Sequence, residues 1–464
     1  MDVAIATRPK AEETARDDSR TLFLLALVIA VAVAPVLPPI AWKVNATLLA
    51  TLLVAGGFYL RIQGEASAGR SALDHPALAF LAAAVLATAF SVEPLVSFFP
   101  SRYRGEGLIV YIPYVAVALA AARFADREAQ RVVVAVLAGG VLIGLIALPQ
   151  YYGIDSLQAL GFRTAPPTIL TGPNPAKLSL EAVWIGARAY GTLANPIFLG
   201  AYATLLLPLA VALAMHAKAR AAWAYGAAAL MLYAALVVSQ TRSAWISAAA
   251  SALVLIWLLP KSPGVLRRGA LLIAGFVIVT ATLVLTRPDA SLLRRASATF
   301  GANDYSMRQK FYVWKHTLPL IAQRPLFGWG FSTLIGQFKD MGSPEYLSVF
   351  GTGDIVLVDS PHNELLHVAY STGLIGLTAY LWLWAAAAHG LLRRPRAGGA
   401  SHETGSASSA LRAGLAASLV GYAVWLQFGW NVIGPANAFW VILGLAAAQA
   451  GGASTESADR CTVN

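Results

Sequence analysis

The sequence predicts an all-α integral membrane protein of about twelve transmembrane helices, and three observations lead there. Hydrophobic residues make up 58% of the 464-residue chain against 12% charged, far from the roughly 25% charged of globular proteins. The mean hydropathy is +0.63. Apolar runs recur at close to the length of about 20 residues that a helix needs to cross a hydrocarbon core about 30 Å thick. This composition excludes a disordered chain. A single cysteine, Cys461, excludes an internal disulfide and argues against cysteine-based metal or nucleophile chemistry. The net charge of +11 collects largely in short connections between the apolar runs, where membrane topology uses it, and so points away from nucleic acid.

In chain order the runs cover residues 21–42, 44–60, 76–92, 108–122, 132–148, 193–215, 221–238, 243–259, 270–286, 367–391, 411–428 and 431–449. The segment MDVAIATRPKAEETARDDSR ahead of the first run is charged, and no small-residue cleavage pattern follows that run, so it reads as a retained span. The expected organisation is therefore nine spans within 1–286, a long outer loop at 287–366 that is partly helical, three spans within 367–449, and a polar tail at 450–464.

Orientation follows from the cations. With the N-terminus in the cytoplasm, the cytoplasmic connections hold 18 Lys and Arg residues, whereas the short outer ones hold only Lys43, Arg102, Arg104 and Arg242. The positive-inside rule then puts both ends of the chain in the cytoplasm. The 80-residue outer loop is too long for a mere connector. Within it Phe311, Trp314 and Leu318 recur at i, i+3 and i+7, as on an amphipathic helix lying at a membrane surface. The Gly/Ser-rich stretch from Arg393 to Arg412 reads as a flexible cytoplasmic linker.

Charge near a bilayer is expensive, so outer ionisable residues are functional candidates. Arg104 in SRYRGEGL, Arg188 in ARAYGTLANP, Arg242 in SQTRSAW and Arg308 in SMRQKFYVW all fall on the predicted outer side. Planar guanidinium donors suit phosphate or carboxylate, and several on one face favour an anion site, for which a pyrophosphate fits better than a lone carboxylate. The competing reading is that they reach to lipid headgroups or pair with Glu93, Glu106 or Glu181. His362, in DSPHNELLHVAYSTGLIGL, stands at a helix entrance facing the outer loop. There an imidazole can take a proton from an attacking hydroxyl, or serve as an ordinary interfacial histidine. HNELLH is not a zinc motif: His362 and His367 are five apart, about 140° around a helix, whereas HExxH needs four. No outer D-x-D pair, no G-x-S-x-G and no Walker loop is present, so no metal or cofactor is expected.

From about Ser91 to Gly376 the chain resembles the O-antigen ligase and polymerase superfamily of bacterial envelope glycosyltransferases. The matching elements are SRYRGEGL, RAYGTLANP, the SQTRSAW turn, PLFGWGFSTL, and HN followed by Gly373 in PHNELLHVAYSTGLIG. The resemblance implies a GT-C-like membrane fold in the bacterial inner membrane with a periplasmic active site. It also implies transfer of a glycan from undecaprenyl pyrophosphate to an acceptor hydroxyl, a sugar of the lipid A-core oligosaccharide in the ligases. On it His362 becomes the general base, Arg188 and Arg242 the leaving-group binders, and Arg102, Arg104, Arg308, Asn195 and Asn363 further substrate-binding positions. The sequence departs from the family at Ile197, Phe198 and Leu199, which follow ANP. An O-antigen polymerase and a protein O-oligosaccharyltransferase share the same motifs and differ in acceptor. A transporter of a lipid-linked anion is the reading from another class, disfavoured because its charges would lie near the bilayer midplane.

Overall fold

The computed structural model describes residues 8–37, 40–64, 71–99, 105–124, 126–161, 188–287, 292, 305–350, 357–393 and 402–449. Among these residues the regular structure is helical, with no strand. In chain order the helices are α1 (Arg8–Val28), which passes into a π-helical turn at Ile29–Val33, α2 (Ile40–Gly64), α3 (Asp74–Ala89), α4 (Pro94–Phe98), α5 (Leu108–Ala121), α6 (Asp126–Tyr151) and α7 (Ser156–Ala159). There follow α8 (Pro196–His216), α9 (Ala219–Val238), α10 (Arg242–Leu258), α11 (Pro263–Thr286), α12 (Tyr305–Gln323), α13 (Leu334–Gln337), α14 (Pro344–Phe350), α15 (Glu364–Leu392), α16 (His402–Trp425) and α17 (Pro435–Ala448).

Each of the twelve apolar runs overlaps a helix, the first of them passing from α1 through the π-helical turn to the start of α2. Those in α2, α6, α8, α9, α11 and α15 are long and apolar enough to cross a membrane, whereas α3, α5, α10 and α17 are shorter apolar helices. Two boundaries differ from expectation. The first helix starts at Arg8, ahead of the apolar run, where Ala, Glu, Arg and Lys residues of the preceding segment favour helix. The stretch expected to be a flexible linker is helical from His402 onward, and residues 394–401 lie outside the described residues.

The centre of the bundle is α8, whose sequence PIFLGAYATLLLPLAVALA is apolar all round and is buried all round. It packs against α9, α10 and α16. The equally buried α17 closes against α5 and α15. At the periphery α11 buries only Gly269, Leu272 and Leu283, and its exposed Ile273, Val277, Ile278 and Leu285 suit a lipid-facing helix.

Helix direction organises the charge. The N-termini of α8, α10, α15 and α17 lie at one end of the bundle. At the opposite end arginines cap helix C-terminal carbonyls: Arg268 donates to Met215 O (2.9 Å) and Ala217 O (2.7 Å) at the end of α8. Arg412 donates to Leu391 O (2.6 Å) after α15 and to Gln449 O (3.5 Å) after α17. Arg123 donates to Leu119 O (2.7 Å) of α5 and pairs with Asp74 (2.9 Å). Each cation thus meets the negative pole of a helix dipole, leaving the positive poles at the other end.

Helix α15 is broken at Gly373, where φ is 68°. The PLFGWGF segment docks its backbone into the break: Leu374 donates to Pro325 O (2.7 Å), Trp329 to Tyr370 O (2.8 Å) and Gly330 to Ser371 O (3.0 Å). The approach needs glycine on both sides. A Cβ on Gly373 would lie 2.1 Å from Leu326 O, and one on Gly328 (φ 70°) would lie 2.5 Å from Tyr370 O. The nine-residue spacing from HN to Gly373 therefore measures a short helical arm, 364–372, that carries His362 at its start. Around this arm Tyr312, Val313, Leu334, Phe338, Tyr346, Val358 and Tyr370 form a second, smaller apolar core.

The expected outcome of Gly373→Ala is a loss of more than about 2 kcal/mol of stability, from strained φ and backbone overlap together. Gly264→Ala, which meets nothing within 4 Å, is expected to be neutral. Thermal unfolding of both variants in detergent checks the contrast, and equal midpoints would contradict it.

Candidate active site

Arg188 and the SQTRS turn come together. The Arg188 Nε donates to Ser239 O (3.0 Å) and an Nη to the Thr241 hydroxyl (3.1 Å), while the backbone N–H of Ala189 donates to Val238 O (3.0 Å). The next residue after Thr241 is Arg242, half-buried, which opens α10. The Thr241 hydroxyl donates in turn to Pro196 O (3.0 Å) at the start of α8, so two arginines with their turn sit beside the N-terminus of the central helix.

His362 approaches the same helix terminus from the other side. Its φ is 51°, which lifts it out of α15 ahead of the cap, and its ring meets Trp430 edge-on at 4.8 Å. Trp430 meets Phe198, in the first turn of α8, at 6.1 Å. The three residues that followed ANP unexpectedly thus include the contact linking the histidine wall to α8. Trp314 of α12 donates its indole N–H to Pro361 O (2.7 Å), which holds the residue before His362 from the loop side. Phe311 and Leu318 on the same helix are exposed.

The two asparagines act as helix caps. Asn195 Oδ1 accepts from Ile197 N (2.9 Å) at the start of α8. Asn363 Oδ1 accepts from Leu366 N (3.1 Å) at the start of α15, and its Nδ2 donates to Gln427 O (3.2 Å). Arg308 lies exposed on α12, and Arg102 and Arg104 lie outside the described residues.

Sequence reasoning missed the buried polar layer beneath the site. Glu106, expected as a partner for arginine, instead takes a hydrogen bond from His367 Nε2 and another from the Tyr111 hydroxyl (3.2 Å). The His367 ring also faces Trp430, at 6.4 Å, so both histidines meet one indole although they are five residues apart. Glu364 accepts from Asn431 N and Nδ2, both at 2.8 Å, and Asn431 Oδ1 accepts from the Tyr422 hydroxyl (2.9 Å). This network ties the start of α15 to the α16–α17 connection, because a buried carboxylate without such donors would be costly. The only sequence signal for it was an acidic residue beside each motif, in GEGL and HNELL.

Away from α8, the carboxylates of Asp340 and Glu345 and the ring of His316 gather with their ligand atoms within 4.8 Å of one another. Lys315 holds Glu345 at 2.7 Å and Tyr312 donates to Asp340, so these groups already have hydrogen-bonding partners. Burial sets the His316 imidazole below its ordinary value, opposed by Glu345 and reinforced by Lys315. The Lys315 hydrogen bond sets the Glu345 carboxyl below its own.

Asn363→Ala is expected to lose about 1 kcal/mol with the cap, while Asn363→Asp, which still accepts from Leu366 N, keeps most of it. A thermal melt of the two variants reads the difference; an unchanged midpoint for alanine would show that the cap contributes nothing.

Chemically, the arrangement presents guanidinium groups and helix N-termini, a setting that stabilises an anion, on one flank of α8, and an imidazole on the other. No curated protein matches the chain. Residues 226–381, which include Arg242, the α15 break and His362, match the family model described as O-antigen ligase (Wzy_C). This stretch is similar to the domain of that family, whose membrane enzymes transfer glycans, and six described helices of the chain are long and apolar enough to cross a membrane.

Proposed function

We propose that the protein is an O-antigen ligase with a GT-C-like architecture of twelve crossings in the bacterial inner membrane. It transfers the O-antigen glycan from undecaprenyl pyrophosphate to a sugar hydroxyl of the lipid A-core oligosaccharide at the periplasmic face. The observation that carries this reading is the convergence of Arg188, the Arg242 turn and His362 on the N-terminus of α8. Supporting the orientation, Arg123, Arg268 and Arg412 sit at the opposite end, where the positive-inside rule wants cytoplasmic cations.

The chemistry follows from the donor. Nucleotide-activated sugars do not reach the periplasm, so the glycan arrives with a lipid pyrophosphate as its leaving group. As the acceptor oxygen attacks the anomeric carbon, His362 takes the hydroxyl proton. The new O–C bond forms while the bond from the anomeric carbon to the phosphate oxygen breaks, and undecaprenyl pyrophosphate departs with that electron pair. A single displacement inverts the configuration at that carbon. Arg188 and Arg242 stabilise the charge gathering on the leaving group, an effect typically worth a few kcal/mol per well-aimed donor.

The test is transfer by the purified protein in detergent, without any gradient, from lipid-linked glycan to lipid A-core. Wild type transfers. His362→Ala loses about 100-fold or more in turnover while keeping its unfolding midpoint, and Arg242→Ala loses a similar factor. Near-normal turnover in His362→Ala would remove the general base, and no transfer by wild type would favour a transporter. In a deletion strain, core bearing no repeat identifies a ligase, core bearing one repeat a polymerase, and intact lipopolysaccharide with a missing glycoprotein the protein-directed enzyme.

A further inference from the structure

Lys43 was expected in a short outer connection. It lies instead inside α2 and is 2% exposed. Its Nζ donates to Thr192 O at 2.7 Å, and among the described residues no carboxylate stands within ion-pair distance of it. A buried lysine head group held by one carbonyl is an expensive arrangement, and ionisable residues within a membrane-spanning helix are functional candidates.

The loop it holds is the one that carries Arg188 into α8. Gln150 grips the same loop: its Oε1 accepts from Tyr190 N (3.1 Å) and Gly191 N (2.7 Å), and its Nε2 donates to Gly191 O (3.1 Å). The Thr192 hydroxyl donates to Pro35 O (2.7 Å). Between Arg188 and Asn195 the backbone is thus fixed from below by buried polar groups. Gln150 grips it through the amides of Tyr190 and Gly191, whereas Lys43 reaches Thr192 O from α2.

We propose that Lys43 is a positioning residue for the lipid diphosphate. It anchors the Arg188 loop through Thr192 and so holds Arg188 where it meets the diphosphate. This rests on the reading of Arg188 and Arg242 as diphosphate binders.

The experiment compares wild type, Lys43→Met and Lys43→Arg in detergent. It reads thermal midpoint, kcat, KM for the lipid-linked donor, KM for the acceptor, and inhibition by inorganic pyrophosphate. In Lys43→Met the relief of burying a polar head group offsets the lost hydrogen bond, so the midpoint stays within about 4 °C of wild type. Donor KM and the pyrophosphate inhibition constant both rise about tenfold or more, acceptor KM stays unchanged, and Lys43→Arg recovers most of the loss. Failure of Lys43→Met to fold, or a midpoint and activity falling together with both KM values altered alike, would make Lys43 merely structural and overturn the proposal. Unchanged donor KM and inhibition constant would overturn it as well. A wild type that neither transfers from the diphosphate donor nor responds to pyrophosphate would instead bring down the diphosphate reading, and this inference with it.

Discussion

A helix within a bilayer must satisfy its own backbone hydrogen bonds, since lipid offers none, and α15 departs from this at Gly373. The departure is stable because the 325–330 segment supplies the missing partners, donating to Tyr370 and Ser371 carbonyls and accepting from Leu374 N. Much of the site geometry depends on that exchange. The break leaves a short arm whose first residues carry His362 and Asn363, and it binds the outer segment around α12 to the bundle. Two glycines facing each other permit the contact, and any side chain at either position would separate the two backbones.

The second organising constraint is electrostatic. Because α8, α10, α15 and α17 begin at the same end, their positive poles sum there, and the arginines at the other end complement the negative poles. An anion is favoured at the first end before any side chain acts. On the proposed reading Arg188 and Arg242 sharpen a potential that the helix directions already create. His362 is braced by Trp430 and by the Trp314 bond to Pro361, and the proposed reading turns the sugar toward it.

Local features were legible in the sequence. Apolar runs located helical stretches, six of them long and apolar enough to cross a membrane, since hydrophobic length is a property of consecutive residues, and Arg188 and the Arg242 turn, far apart in the chain, were marked by their motifs. Legibility ended where partners are distant in the chain. Glu106 and His367 are 261 residues apart, Lys43 and Thr192 149 apart, and nothing in either neighbourhood announces the other. Lys43 looked like a loop cation because it begins an apolar run, and only packing reveals that the loop closes over it. Asn195 and Asn363 were read as ligands because they sit in motifs, yet their oxygens cap helices. A motif residue can thus be required for building the helix start that aims its neighbour.

The central claim is that one diphosphate and one proton acceptor face each other across the start of α8. The measurement that addresses it most directly is an electron cryomicroscopy map of the protein bound to an undecaprenyl-pyrophosphate glycan. The account predicts diphosphate density in contact with Arg188 and Arg242, with the first sugar turned toward His362. Diphosphate density at the opposite end, beside Arg268 and Arg412, or a sugar turned away from His362, would contradict it.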